Sequence, residues 1–142
     1  MFIQYGVRLI SVVYVVLGIL GFITVDPINH YHPEGIGAFY LLNNIAINWL
    51  HNIIHLFIGF SGLWAAQSIA RAQLWGKLMG VVLLLLFVVG MAQAAMLGFP
   101  VDQLLLGLVP LNSPGHTLHL VTGGLALYLG YKRVDMPATQ KT

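Results

Sequence analysis

Four long apolar stretches restrict what this chain can fold into more than any other feature. They are VRLISVVYVVLGILGFITV at 7–25, IAINWLHNIIHLFIGFSGLWAA at 45–66, LMGVVLLLLFVVGMAQAAMLGF at 78–99, and HTLHLVTGGLALYLGY, which with its flanks covers 114–132. A helix needs about 20 residues to cross the hydrocarbon core of a bilayer. None of the four alternates polar and apolar residues with period two, so each reads as helix and not as strand. Only 7% of the residues are charged and 58% are hydrophobic, whereas about 25% of an ordinary soluble domain is charged. Such a chain cannot cover a water-facing surface. The expectation is an all-α membrane protein: a four-transmembrane-helix bundle, one domain over residues 1–142, with the lipid bilayer as its first partner.

The basic residues set an orientation. Arg8 opens the first stretch, Arg71 and Lys77 lie between the second and third, and Lys132, Arg133 and Lys141 follow the fourth. The links 26–44 and 100–115 carry no Lys or Arg but hold Asp26, Glu34 and Asp102. Basic residues favour the cytoplasmic side. Both termini and the link 67–77 are therefore expected inside, in a multi-pass protein of a cell membrane of the inner or thylakoid type. A single early cation and no small-residue cleavage site argue against a removable signal segment. The net charge of +2 suggests no nucleic-acid partner.

The second and fourth stretches resemble each other at an interval of 64 residues. Leu41, Asn48, His55, Leu56, Gly59 and Leu63 recur as Leu105, Asn112, His119, Leu120, Gly123 and Leu127. The first and third close on GFITVD at 21–26 and GFPVD at 98–102. This predicts an internal repeat of helix, outer segment and helix, its pseudo-twofold axis along the membrane normal. The outer segments GIGAFYLLNN at 35–44 and QLLLGLVPLN at 103–112 are too short to cross; they read as amphipathic loops at the outer interface or as segments dipping in against the bundle, and either way can roof a site between the second and fourth stretches.

The histidines carry the chemistry. His51 and His55 are four residues apart and His116 and His119 three apart, spacings that share one helix face. Counted from Arg71 and Lys132 at 1.5 Å per residue, His55 and His119 lie roughly 24 and 20 Å from the cytoplasmic cations, in the outer half of a core about 30 Å thick. Four imidazoles on two facing helices can hold a transition-metal ion such as zinc, copper or iron. Asn48, Asn52, Asn112 and Thr117 are then candidates to orient the rings. Alternatively His55 and His119 act as axial ligands of one haem, or one of them holds chlorophyll. A third use is proton or quinone chemistry. The competing structural reading is that the histidines hydrogen-bond across the interface and hold the bundle together. His30 and His32 in the first outer link read as solvated loop residues. Trp49, Trp64, Trp75, Tyr128 and Tyr131 fall near the span ends, where amphipathic rings suit the interface.

Several classes are excluded. With no cysteine, disulfides, thiolate metal sites, iron–sulfur clusters and covalently attached haem are ruled out. No carboxylate lies inside a span, which argues against ion-coupled transport. No nucleophile motif or phosphate loop is present, and no catalytic residue is assigned. The pattern N-x6-HL-x2-G-x2-GL, as Asn48, His55, Leu56, Gly59, Gly62 and Leu63, resembles the hallmark of a bacterial four-helix membrane family known as domain of unknown function 4383. His119, Leu120 and Gly123 form a weaker copy, with Ala126 in place of its second glycine. The resemblance implies fold and membrane location and no activity. The leading expectation is a non-enzymatic accessory or assembly subunit, in a larger membrane complex or a homo-oligomer, whose histidines pack the bundle or bind one metal or tetrapyrrole. The alternative is a small redox or quinone-linked membrane enzyme with a His-ligated metal or haem.

Overall fold

A computed structural model of the chain describes residues 1–23, 38–97 and 103–133. The described residues are mostly helical. In chain order they form α1 (Phe2–Ile23), the strands β1 (Phe39–Leu41) and β2 (Ile45–Ile47), α2 (Trp49–Ala65), α3 (Ile69–Leu97), the strands β3 (Gln103–Leu105) and β4 (Val109–Leu111), and α4 (Ser113–Tyr131). Two helices, α1 and α3, are long and apolar enough to cross a membrane, with mean hydropathies of 2.3 and 2.4. The helices α2 and α4 are shorter, at 17 and 19 residues.

The outer segments differ from expectation. Each is an antiparallel hairpin and not an amphipathic loop. In the first, Phe39 pairs with Ile47 and Leu41 with Ile45; in the second, Gln103 pairs with Leu111 and Leu105 with Val109. Every pair in one hairpin lies 64 residues from its counterpart in the other, as do the starts of α2 and α4. The turns are tightened by left-handed backbone at Leu42 and Asn43 in one and at Leu106 and Gly107 in the other. Residues 45–47, expected as the start of the second span, are therefore strand. A three-residue strand is too short to show alternation, which is why the sequence pattern does not betray it.

The link between the second and third spans is also shorter than expected. Only Ala66–Ser68 separate α2 from α3. Ser68 caps the new helix: its hydroxyl accepts from the Arg71 amide at 3.3 Å and from Arg71 Nε at 3.1 Å. A capping serine followed by good helix formers extends the helix well before the apolar run begins.

The helix α1 packs against α2, and α3 against α4. Glycines permit close approach in both pairs. A Cβ on Gly59 would lie 2.8 Å from the Ser11 carbonyl oxygen, and one on Gly76 would lie 2.6 Å from that of Ala126. At one end, Gln4 donates to the Ala66 carbonyl and Gln73 to that of Lys132. The N-termini of α1 and α3 therefore meet the C-termini of α2 and α4. Arg8, Arg71, Lys77 and Lys132 lie there, each with its cation over an aromatic ring. The hairpins lie at the opposite end.

Burial is inverted relative to a water-soluble domain. Ser11, Asn48, His51, Asn52, His55, Asn112, His116, His119 and Thr122 are buried, while large apolar side chains such as Leu9, Phe57, Leu85 and Leu125 are exposed. Trp75, expected at an interface, is instead buried and donates its indole N–H to Ser61 Oγ at 3.0 Å.

Candidate metal centre

The start of α2 is set by Asn48, whose Oδ1 accepts from the His51 amide at 2.9 Å. From that cap, His51 and His55 project from one face, their ring centroids 4.3 Å apart. His119 reaches them from α4, with its ring centroid 6.3 Å from that of His51. One nitrogen from each of His51, His55 and His119 lies within 4.8 Å of the others, and all three residues are buried. Tyr14 of α1 meets the His55 ring edge-on, at 5.2 Å.

His116 does not join this group. It is buried against α3, where a Cβ on Gly90 would come 2.4 Å from its Cε1. Of the four expected imidazoles, the structure thus brings three together. His116 is only three residues from His119, but the turn between them points it toward a different helix. His30 and His32 lie outside the described residues, as do most of GFITVD and GFPVD.

The nitrogens of the three rings have unusual surroundings. His51 hydrogen-bonds to the backbone of Pro110 and of Ala46. Proline has no N–H, so at Pro110 the ring must donate to the carbonyl. His51 Nδ1 is buried without a hydrogen-bond partner, so the donor is Nε2 and the lone pair stays on Nδ1. A backbone carbonyl fixes metal-binding histidines in this way. His55 is buried with neither nitrogen partnered, and His119 is buried with Nδ1 unpartnered. A buried polar atom without a partner costs about 1–3 kcal/mol, and native structures contain few of them.

The asparagines do different work from that expected. Asn48 Nδ2 donates to the Leu108 carbonyl at 3.0 Å, and Asn112 Nδ2 donates to the Asn44 carbonyl at 2.8 Å. Each thus ties its own helix start to the turn of the other hairpin, and 44 and 108 are again 64 apart. Asn112 Oδ1 accepts from the Ala46 amide at 3.3 Å. These side chains fix the hairpins, and the hairpins in turn supply the carbonyls that hold His51. Asn52 is buried beside Gly21 with its Oδ1 unpartnered. Thr117 is exposed and donates to the Ser113 carbonyl at 2.9 Å, so it takes no part in orienting the rings.

The family model described as Domain of unknown function (DUF4383) matches residues 4–132. The chain belongs to this family. No curated protein and no solved structure matches it. The DUF4383 match spans all four helices and both hairpins, so the buried histidines lie inside it.

Sequence reasoning missed two contributors. Tyr14 forms one wall of the group; its hydroxyl lies 2.8 Å from Thr122 Oγ1, which itself donates to the Leu118 carbonyl at 2.6 Å. Tyr14 is therefore the donor in that pair. The available signal was a single polar-tipped ring in the otherwise aliphatic run VVYVV at 12–16. The carbonyls of Ala46 and Pro110 had no sequence signal, because they depend on the hairpins.

Proposed function

We propose that this DUF4383 protein is a four-span membrane protein, built from two copies of a helix–hairpin–helix unit, that binds one transition-metal ion through His51, His55 and His119. The single observation that carries the site is three buried imidazoles with ligand nitrogens within 4.8 Å of one another, four of their nitrogen atoms lacking a hydrogen-bond partner. Ligand bonds of about 2.0–2.1 Å at tetrahedral angles place two nitrogens about 3.4 Å apart, so a shortening of up to about 1.5 Å closes the set.

The membrane reading rests on the inverted burial and on the gathering of cations at one end. Helices of 17 and 19 residues span roughly 25–29 Å, close to a core about 30 Å thick. The end with Arg8, Arg71, Lys77 and Lys132 is placed on the cytoplasmic side. The duplication rests on the shared interval of 64 residues in strand register, helix start and asparagine ties.

Neutral imidazoles suit zinc, copper or iron. A tetrapyrrole fits less well. The rings touch one another and Tyr14, and a macrocycle is far wider than the gap between them. Bound there, a metal would supply bonds that lock α2 to α4, with the hairpins holding His51 in its ligand tautomer. That is the role of a structural or assembling subunit in a membrane complex.

A second reading is favoured by the ligand count. Catalytic sites keep three protein ligands and an open position, whereas structural zinc sites are closed by four. A small redox enzyme remains the alternative. Elemental analysis and absorbance of the detergent-purified protein test both readings. About one zinc per chain with no visible band supports the structural role. A copper or iron site whose spectrum responds to oxidant supports the redox role. A metal-free protein that takes up no added zinc, copper or iron overturns the site.

A further inference from the structure

The imidazoles of the candidate centre are held by unequal means. His51 has one ring nitrogen on the Pro110 carbonyl, the usual way in which a protein orients a metal-binding ring. His55 has no such bond, because both of its nitrogens are buried without a partner. Only packing fixes the direction in which it points. Two rings meet it: that of His51, on its own helix, and that of Tyr14 on α1, which stands edge-on with 5.2 Å between centroids and 72° between planes.

Tyr14 is in turn held at its tip. It is fully buried. Its hydroxyl donates to Thr122 Oγ1 at 2.8 Å, and Thr122 donates to the Leu118 carbonyl at 2.6 Å. Each hydroxyl carries one proton, so both are committed and the chain runs one way. Leu118 and Thr122 flank His119 on α4. Tyr14 therefore belongs to a helix that carries no ligand, yet it touches a ligand of α2 with its ring and the ligand-bearing turn of α4 with its hydroxyl. Its neighbours in the run VVYVV fill space without a polar tip, and filling space alone would ask no more of position 14.

We infer that Tyr14 is a positioning residue of the metal centre: clamped to α4 through Thr122, its ring sets the orientation of His55 and the spacing between the α2 and α4 ligands. The inference rests on the metal reading above. Tyr14 makes no bond to the ion, since its oxygen is turned to Thr122. Its contribution is to exclude orientations of the His55 ring that cannot join the other two. Without the clamp those orientations are lost only when the metal binds, and affinity falls accordingly.

The test is zinc affinity of the detergent-purified full chain, measured by competition with a chromophoric chelator, together with the ligand-field absorption of the cobalt(II)-loaded protein. Tyr14→Phe keeps the ring and removes the clamp, and Thr122→Val removes the acceptor from the other side. Each should weaken zinc about tenfold, the low end of the loss that follows removal of an outer partner. The double variant should lose no more than either single one, because both break the same bond. Thr122→Ser, which retains the hydroxyl, should bind like the wild type. So should Ser61→Ala, which removes the acceptor of the Trp75 indole, a cross-helix bond of 3.0 Å further along α2. Cobalt bands, which report ligand geometry, should change in Tyr14→Phe and Thr122→Val and not in the two controls. Wild-type affinity and bands in Tyr14→Phe would overturn the inference. So would additive losses in the double variant, or a loss in Ser61→Ala equal to that in Tyr14→Phe, which would make the effect a general loosening of the bundle. Failure of the metal reading looks different, since the wild-type protein itself would then take up neither zinc nor cobalt, and the role of Tyr14 would fall with it.

Discussion

The two hairpin–helix halves, residues 39–65 and 103–131, share a scaffold but not a site. Their strand registers match at 64 residues, both helices begin after an asparagine, and His55 and His119 occupy the same place in each. Most side chains differ between the halves, but the differences that bear on the site are local. His51 corresponds to Gly115, Asn52 to His116, Ala46 to Pro110 and Asn43 to Gly107. A symmetric scaffold alone brings two imidazoles together. The third, His51, comes from one half only. The comparison teaches that the fold and the candidate site are separable: elements matched at the 64-residue interval form the frame, and residues that differ between the halves complete the candidate site.

The strongest way to break this comparison is to remove the histidines one at a time. Replacing His51, His55 or His119 by Ala should abolish stoichiometric metal binding. The affinity loss should exceed the roughly 10–100-fold that follows loss of an outer partner. His116→Ala should leave binding unchanged, although His116 is as buried as the others. Metal titration of the four variants decides it. A loss with His116→Ala equal to that with His119→Ala would return the site to four symmetric ligands. Acidification should release the ion, since imidazole binds metal only when neutral.

A second comparison concerns the asparagine ties. Asn112→Ala leaves the Ala46 amide and the Asn44 carbonyl without their partner, and Asn48→Ala does the same to the His51 amide and the Leu108 carbonyl. Each variant should lose about 2–3 kcal/mol, from two bonds at about 1–1.5 kcal/mol each. Thermal unfolding in detergent should therefore give nearly equal shifts. Unequal shifts, with one variant close to wild type, would show that only one hairpin is held by its neighbour.

Much of this was legible in the chain. The four helices followed from apolar length, and the pairing of His55 with His119 followed from the 64-residue interval. The family resemblance carried by Asn48, His55, Gly59 and Gly62 agrees with the family match. What was not legible depended on long-range backbone. The hairpins hid because three-residue strands have no measurable period and because Pro110 reads as a strand breaker. It is tolerated because a two-stranded hairpin leaves one edge of each strand without a ladder partner. The exclusion of His116 hid because spacing on a helix places side chains on a broad face, and one turn of that face looks toward α3 and the other toward α2. Thr117 stands apart from the rings for the simpler reason that its side chain is exposed.

His55 separates packing from metal binding. If the ring only fills space, its two unpartnered nitrogens are a burden, and His55→Leu should stabilise the metal-free protein by about 1–3 kcal/mol. With metal bound, the same substitution should remove the added stability that a ligand confers on the folded state. A variant that changes stability in the same direction with and without metal would refute the ligand role of His55.

The smallest expected effect tests why the two asparagines differ. Asn112 Oδ1 accepts from the Ala46 amide and makes no cap bond to its own helix. Asn48 Oδ1 instead caps His51. The counterpart of Ala46 is Pro110, which has no N–H to offer. One proline therefore explains both the missing cross-bond and the presence of the cap. Pro110→Ala restores the N–H while keeping the carbonyl that receives His51 Nε2–H. Its own effect on stability should be under about 1 kcal/mol, since one bond is offered and unfolded-chain freedom is gained. The informative quantity is its coupling to Asn48→Ala. In the Pro110→Ala background Asn48 Oδ1 serves two amides, so its removal should cost about 0.5–1 kcal/mol more than in the wild type. A double-mutant cycle by thermal unfolding measures this difference. Additive effects would mean that the hairpins differ at this point for some reason other than the missing amide.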